Sequence, residues 1–243
     1  MRPKRAMVLA AGYGLRMRPL TDKTPKPLLP VQGRSLLERI LDRLAEAGVE
    51  EAVINLHHLG EQIEQRLSDR KKPKIRFSWE REIVLETGGG VAKALPLLGD
   101  EPFFVINGDV LWLNGYQQAL HRLADAWEAR QMDALLLVHS TPYAVGYEGK
   151  GDFFLAADGR LLRRSPEEVA PFVFAGIQIL HPRLFEGAPE GPFSLNRIYD
   201  RAAESETLFG LRHDGEWFHI GTPGSLKETE ELFDSRDFPI VLR

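Results

Sequence analysis

The chain contains no cysteine. Disulfide bridges, thiolate zinc sites and cysteine nucleophiles are therefore excluded. The absence fits a reducing compartment, so a cytoplasmic protein is expected. Long apolar runs are missing as well. The longest, Val169 to Leu180, is interrupted by Pro171 and Gln178 and is too short to cross a bilayer. Basic residues stand at Arg2, Lys4 and Arg5, but the apolar stretch after them is too short for a signal peptide and runs into glycines. There is no excess of basic charge: the formal net charge is −4, which argues against a nucleic-acid surface. No His-Glu-x-x-His spacing occurs, and no Ser-His-Asp set can be defended. No linker, low-complexity tract or internal repeat divides the 243 residues. The expectation is one soluble domain, with no membrane partner, as a monomer or small homo-oligomer.

Against that background one segment stands out. Leu9 to Leu28 reads LAAGYGLRMRPLTDKTPKPL, placed directly after the apolar run Met7 to Ala11. Such a run suits a buried strand, and Gly12 and Gly14 let the chain turn sharply and approach an anion with main-chain N–H groups. Arg16, Arg18, Lys23 and Lys26 then concentrate positive charge, offset only by Asp22. A local cationic loop on a mildly acidic chain points to a small polyanion. Two familiar phosphate loops are excluded by spacing. The dinucleotide fingerprint needs a small third residue where Met17 stands, and the triphosphatase loop needs Gly-Lys followed by Ser or Thr.

The complete string resembles the signature of sugar-1-phosphate nucleotidyltransferases, with Arg16, Pro19, Leu20, Thr21, Pro25, Lys26 and Pro27 in place. The resemblance extends from Met7 to about Phe233. It implies a Rossmann-like α/β fold with a mixed, mostly parallel central sheet flanked by helices. It also implies a nucleoside triphosphate and a sugar 1-phosphate as partners, with Mg2+ as cofactor. Gly12, Gly14 and Arg16 would hold the β and γ phosphates, and Lys26 those around the reacting centre, with Ala10 and Ala11 lining the same loop.

Asn107-Gly108-Asp109 follows the apolar run Phe103 to Ile106, so Asp109 should emerge at the carboxyl end of a central strand, where ligands bind in open α/β sheets. Asn-Gly-Asp is also turn chemistry, but a carboxylate facing a triphosphate loop suits a divalent ion. Glu86-Thr87-Gly88-Gly89-Gly90 resembles the family's base-reading loop, its glycines leaving backbone free to meet a flat ring. Its form here, with Lys93-Ala94-Leu95-Pro96 beyond, looks most like the uridylyltransferases that act on N-acetylmuramic acid 1-phosphate. UTP is the donor that this implies. Gly149 to Phe153 supports the same subgroup, whose matching aspartate, Asp152 here, contacts the acceptor. Asn107, Gly176 and His219 complete the sugar-phosphate set.

Two departures matter. The family places aspartate, its second metal carboxylate, where Trp217 to Thr222 carries His219. A neutral imidazole suits hard magnesium less well. Asp109 then holds the ion with waters and phosphates, or His219 contacts substrate phosphate, or His219 is a buried hydrogen-bonded side chain. The Glu-Lys-Pro motif is also missing. Arg163 and Arg164 replace its lysine, or else are solvated strand charges. A non-catalytic nucleotide-sugar-binding relative, or a nucleotidyltransferase for mannose, glucose or phosphocholine, is the competing expectation.

Strand-like and helix-like runs alternate through the first half, predicting a parallel sheet with crossover helices over about 1–140. A β-rich sugar-phosphate half is expected over about 141–243. Ser35 with Glu38 forms a capping-box pattern before Leu36, Leu37, Ile40, Leu41 and Leu44 at helical spacing. Further helices are expected at 59–67, 91–98, 116–130 and 195–204, and from Thr222-Pro223 through Phe233. Asp158-Gly159 and Asp214-Gly215 read as hairpin turns. Tyr116 and Trp127 read as core aromatics.

Overall fold

In the computed structural model, residues 2–235 are described. The strand expected after the N-terminus is β1 (Arg5–Leu9). Its side chains alternate between two separate cores, Ala6 and Val8 in one and Met7 in the other. A strand buried on both faces reads as an unbroken apolar run, which is why the period-two signal is absent there. After the cationic loop come the short hairpin β2 (Pro30–Val31) and β3 (Arg34–Ser35), helix α1 (Leu36–Glu46) and β4 (Glu51–Leu56). The capping box is present: the Ser35 hydroxyl accepts from the Glu38 N–H and the Glu38 carboxylate accepts from the Ser35 N–H. Leu37, Ile40, Leu41 and Leu44 are fully buried against Val8 and Ile54. Truncating one of them to Ala costs about 2–5 kcal/mol.

Helix α2 (Gly60–Arg66), strand β5 (Lys74–Trp79), helix α3 (Glu86–Leu98) and strand β6 (Phe103–Asn107) complete the first half. Then follow β7 (Val110–Trp112), α4 (Ala119–Ala126), β8 (Ala134–Ser140), β9 (Phe153–Leu155), β10 (Leu161–Arg163) and β11 (Phe172–Leu180). The last elements are α5 (Asn196–Glu204), β12 (Leu208–Arg212), β13 (Trp217–His219) and α6 (Pro223–Asp234). The main sheet runs β10-β9-β11-β6-β1-β4-β5, with β8 on β11 and β12 on β8. Pairings β5-β4, β4-β1, β1-β6 and β8-β12 are parallel, and those of β11 and of β9-β10 are antiparallel. Only β11 and β10 therefore run against the others, and the sheet is mixed and mostly parallel as expected. The chain leaves β1 toward β4 on one side and returns to β6 on the other. That reversal makes the carboxyl ends of β1 and β6 a topological switch point.

Four expectations need correction. Helix α3 opens at Glu86, not at Val91, so the three glycines lie inside it. Helix α4 is shorter than 116–130: the Asn114 side-chain oxygen accepts from the Ala119 N–H, and Trp127 leaves the helix in extended conformation to bury its ring. Tyr116 falls before that helix and is fully exposed, so it is no core residue. Asp214-Gly215 joins no hairpin, because β12 pairs with β8 and β13 with β7. Asp158-Gly159 does turn the β9-β10 hairpin, with Gly159 at φ 89°.

Candidate active site

A cavity of about 480 Å³ opens at the switch point. One wall is the segment that leaves β1. Gly12 presents open space, with nothing within 4 Å of where a Cβ would stand. Gly14 is held at φ 62°, and its carbonyl accepts both from the Met17 N–H and from the Thr21 hydroxyl, each at 2.8 Å. Met17 is fully buried in a third apolar cluster with Leu36, Phe218 and Phe233, so the residue that spoils the dinucleotide fingerprint is the one that anchors this loop. Of the four cations in the segment, only Arg16 and Lys26 line the cavity. Arg18 pairs with Asp22 at 3.1 Å on the surface, whereas Arg16 has no ion-pair partner among the described residues.

Lys26 sits in a short 3-10 turn between Pro25 and Pro27, and 8% of its surface is exposed. Its Nζ donates to Asp109 Oδ2 at 2.6 Å. Asp109 reaches that point because β6 and β1 nearly touch where they end: the Gly108 N–H donates to the Leu9 carbonyl at 2.8 Å. A Cβ at Gly108 would lie 2.6 Å from that same oxygen, so only glycine permits the approach. His219 arrives from the far end of the chain on β13, whose antiparallel ladder with β7 sets His219 opposite Val110, the neighbour of Asp109. Burial holds the His219 imidazole below its usual pKa, opposed by the Asp109 carboxylate and reinforced by Lys26 and Arg16.

Ala10, Ala11, Gly12, Gly14, Arg16, Lys26, Asn107 and Asp109 all border the cavity, as do Glu86 and Thr87 on the opposite wall. Glu86 is exposed at φ 58°, a strained conformation for a residue with a side chain. Gly88 and Gly89 do not border it, contrary to the expectation that their backbone is free. Both N–H groups donate to the Phe193 carbonyl, and Cβ atoms there would strike Phe193 and the Gly191 carbonyl at 2.3 Å. These glycines exist for close packing. Asp152 and Gly176 also lie outside the cavity lining. The Asp152 carboxylate accepts from the Phe174 N–H at 2.8 Å. Gly176, at φ 74° in the irregular stretch of β11, makes room for Val110 and Asn107. Arg163 pairs with Asp200 at 2.7 Å, and Arg164 donates to four loop carbonyls, among them that of Gly151. Both therefore have structural partners. His57 meets the Tyr13 hydroxyl and the Glu80 carbonyl, and His58 meets the Thr21 carbonyl.

Sequence reasoning missed Asn55, which borders the cavity, and Glu80 behind it. A polar side chain near the end of the apolar strand Ala52 to Leu56 was the available signal.

No group of three or more His, Asp or Glu side chains with metal-binding geometry forms among the described residues. The donor set still fits one hard cation in the cavity. Among the described residues Lys26 occupies Asp109 Oδ2 and nothing hydrogen-bonds to Oδ1, and magnesium commonly takes one or two carboxylates with waters and substrate phosphates.

A glycine loop, two cations and a carboxylate thus line one cavity at a sheet switch point, where open α/β sheets bind ligands. Residues 5–147 match the model of the Nucleotidyl transferase family, and the chain belongs to it. It is 43% identical to the N-acetylmuramate alpha-1-phosphate uridylyltransferase of Caulobacter vibrioides, over 91% of this chain and 93% of that one. The protein of the same name in Neisseria meningitidis serogroup B is 39% identical, over 94% of this chain and 97% of its own. A UDP-glucose pyrophosphorylase solved with UDP-glucose has the same fold: the TM-score is 0.78 at 18% identity, covering 97% of this chain and 99% of that one.

Proposed function

We propose that the chain transfers UMP from UTP to N-acetylmuramic acid 1-phosphate, releasing pyrophosphate, with magnesium as cofactor. The reaction belongs to cell-wall recycling in the cytoplasm, where nucleoside triphosphates are supplied. The observation that carries the reading is the Lys26–Asp109 contact at 2.6 Å in the cavity that Gly12 also lines, a cation and a carboxylate on one space of about 480 Å³. The subgroup rests on the two uridylyltransferases at 43% and 39% identity.

An oxygen of the sugar phosphate bonds to the α-phosphorus as the bond from that phosphorus to the α–β bridging oxygen breaks. The leaving electron pair goes with pyrophosphate. The attacking oxygen is already ionised, so no general base is required, and the protein's tasks are positioning and charge neutralisation. Arg16 and the N–H groups around Gly12 bind the β and γ phosphates. Lys26 exchanges its contact with Asp109 for phosphate oxygen at the reacting centre. Asp109, with His219 beside it, would hold the metal, which would supply positive charge for the α-phosphate.

The test is pyrophosphate release measured over UTP, dTTP, CTP, ATP and GTP against a panel of sugar 1-phosphates. UTP with N-acetylmuramic acid 1-phosphate is the expected best pair. Its margin over dTTP is modest, because one methyl in a pocket is worth only about 1–3 kcal/mol. GTP or ATP outperforming UTP overturns the subgroup.

A further inference from the structure

Behind the cavity a buried hydrogen-bond chain joins its two walls. Asn55, near the end of β4, is 3% exposed, and Glu80, just after β5, is 1% exposed. Asn55 Oδ1 accepts from the Ala10 N–H at 2.7 Å, and Asn55 Nδ2 donates to Glu80 Oε1 at 2.7 Å. Glu80 Oε2 accepts from the Leu85 N–H, again at 2.7 Å. Ala10 begins the glycine loop, and Leu85 immediately precedes Glu86 and Thr87 on the opposite wall. Glu80 has no ion-pair partner among the described residues. A carboxylate buried without a cation is costly and offers nothing to packing that an apolar side chain would not do better. The fold nevertheless closes around it. A Cβ on Gly90 would lie 2.8 Å from Asn55 Nδ2 and 2.9 Å from Glu80 Oε1, so helix α3 rests directly on the chain.

We infer that Asn55 and Glu80 are positioning residues that hold the glycine loop and the Val84–Thr87 segment at the separation a single nucleotide needs to touch both. The inference rests on the reading of the cavity as the nucleotide site. Glu80 does not border the cavity, and both polar atoms of Asn55 are taken up by protein, so the pair acts through the backbone it fixes.

The chain has a polarity that can be reversed. Glu80→Gln keeps the volume but turns an amide donor against either Asn55 Nδ2 or the Leu85 N–H, losing one bond. Asn55→Asp sets two carboxylates face to face. Combining Asn55→Asp with Glu80→Gln restores all three bonds: the carboxylate at position 55 accepts from Ala10 and from the amide at position 80, whose oxygen accepts from Leu85. Calorimetric titration with each of UTP, CTP, ATP and GTP, without acceptor, gives nucleotide affinity; steady-state rates give both KM values. Each single variant should weaken the nucleotide that wild type binds by about tenfold, with acceptor KM unchanged, and the double variant should recover most of it. Unchanged affinity in the single variants overturns the inference. So does a folded double variant that stays weak, which would mean that the Glu80 charge itself meets the ligand. Where a single variant fails to fold, the double variant decides by the same criterion. Wild type binding none of the four nucleotides contradicts the proposed function and the inference with it; normal wild-type binding with unaffected variants overturns the inference alone.

Discussion

Lys26 Nζ lies 2.6 Å from Asp109 Oδ2 although 83 residues separate the two in sequence. Pro25 and Pro27 fix the backbone on one side, and the Gly108–Leu9 contact fixes it on the other. The ammonium and carboxylate neutralise each other in this pair, and in the proposed reaction each would turn to a ligand group of the opposite sign.

Lys26→Ala should therefore lose activity while the fold survives. The Asp109 side chain is 35% exposed, so water replaces the lost ammonium at little cost in stability. By analogy with a lost transition-state donor, kcat falls on the order of 10²- to 10³-fold. Steady-state kinetics with a thermal melt checks this; an unchanged rate at normal melting temperature removes Lys26 from the mechanism.

Two glycines should respond in opposite ways. At Gly12 a methyl meets nothing, so Gly12→Ala keeps its melting temperature and weakens nucleotide binding by occupying ligand space. At Gly108 a methyl meets the Leu9 carbonyl at 2.6 Å, so Gly108→Ala destabilises by about 1–3 kcal/mol. Denaturation midpoints and nucleotide titrations on both variants separate the roles; a destabilised Gly12→Ala contradicts the open face of the loop.

Asp109→Asn should abolish most magnesium-dependent turnover, because it removes the cavity carboxylate beside Lys26. His219→Asp adds a hard anionic oxygen beside Asp109 and should lower the magnesium concentration needed for half-maximal rate. A rise in acceptor KM at saturating magnesium would instead assign His219 to the substrate phosphate. Magnesium dependence left intact in Asp109→Asn shows that the ion is held elsewhere.

His213 should make stability pH-dependent. Burial, with His139 nearby, lowers its pKa to about 4, and its Nε2 faces the Leu113 and Glu216 carbonyls. The unfolded chain protonates near pH 6.5 and the folded one only near 4, so the unfolded state binds the extra proton between those values. Stability is therefore full above pH 6.5 and declines as pH falls toward 4, by up to about 3 kcal/mol. Melting temperatures from pH 7.5 to 5 should fall less steeply in His213→Gln than in wild type. Parallel slopes would show that His213 is not the group responsible.

What the sequence made legible is what depends on neighbours in the chain. The capping box at Ser35 and Glu38, the run that becomes β1, and the glycine loop with Lys26 between prolines all carry their geometry locally. Asp109 was legible because an apolar run ending in Asn-Gly-Asp places it at a strand's carboxyl end. Gly88 to Gly90 misled because glycine serves two needs: room for a ligand, and room for Phe193, Gly191 and the Asn55–Glu80 pair. The second depends on residues far along the chain, which no local pattern reveals. The Asp152 carboxylate likewise has a partner that no local pattern reveals, the Phe174 N–H. Tyr116 was misjudged because aromatic content implies burial only on average.

The most direct measurement is a competition. Purified protein, magnesium and N-acetylmuramic acid 1-phosphate are incubated with UTP, CTP, ATP and GTP at equal concentration, and the nucleotide-sugar products are identified by mass. The expected result is UDP-N-acetylmuramic acid as the dominant product, lost in Lys26→Ala. A purine nucleotide-sugar as the main product, or no product from any donor while the protein is folded, would contradict it.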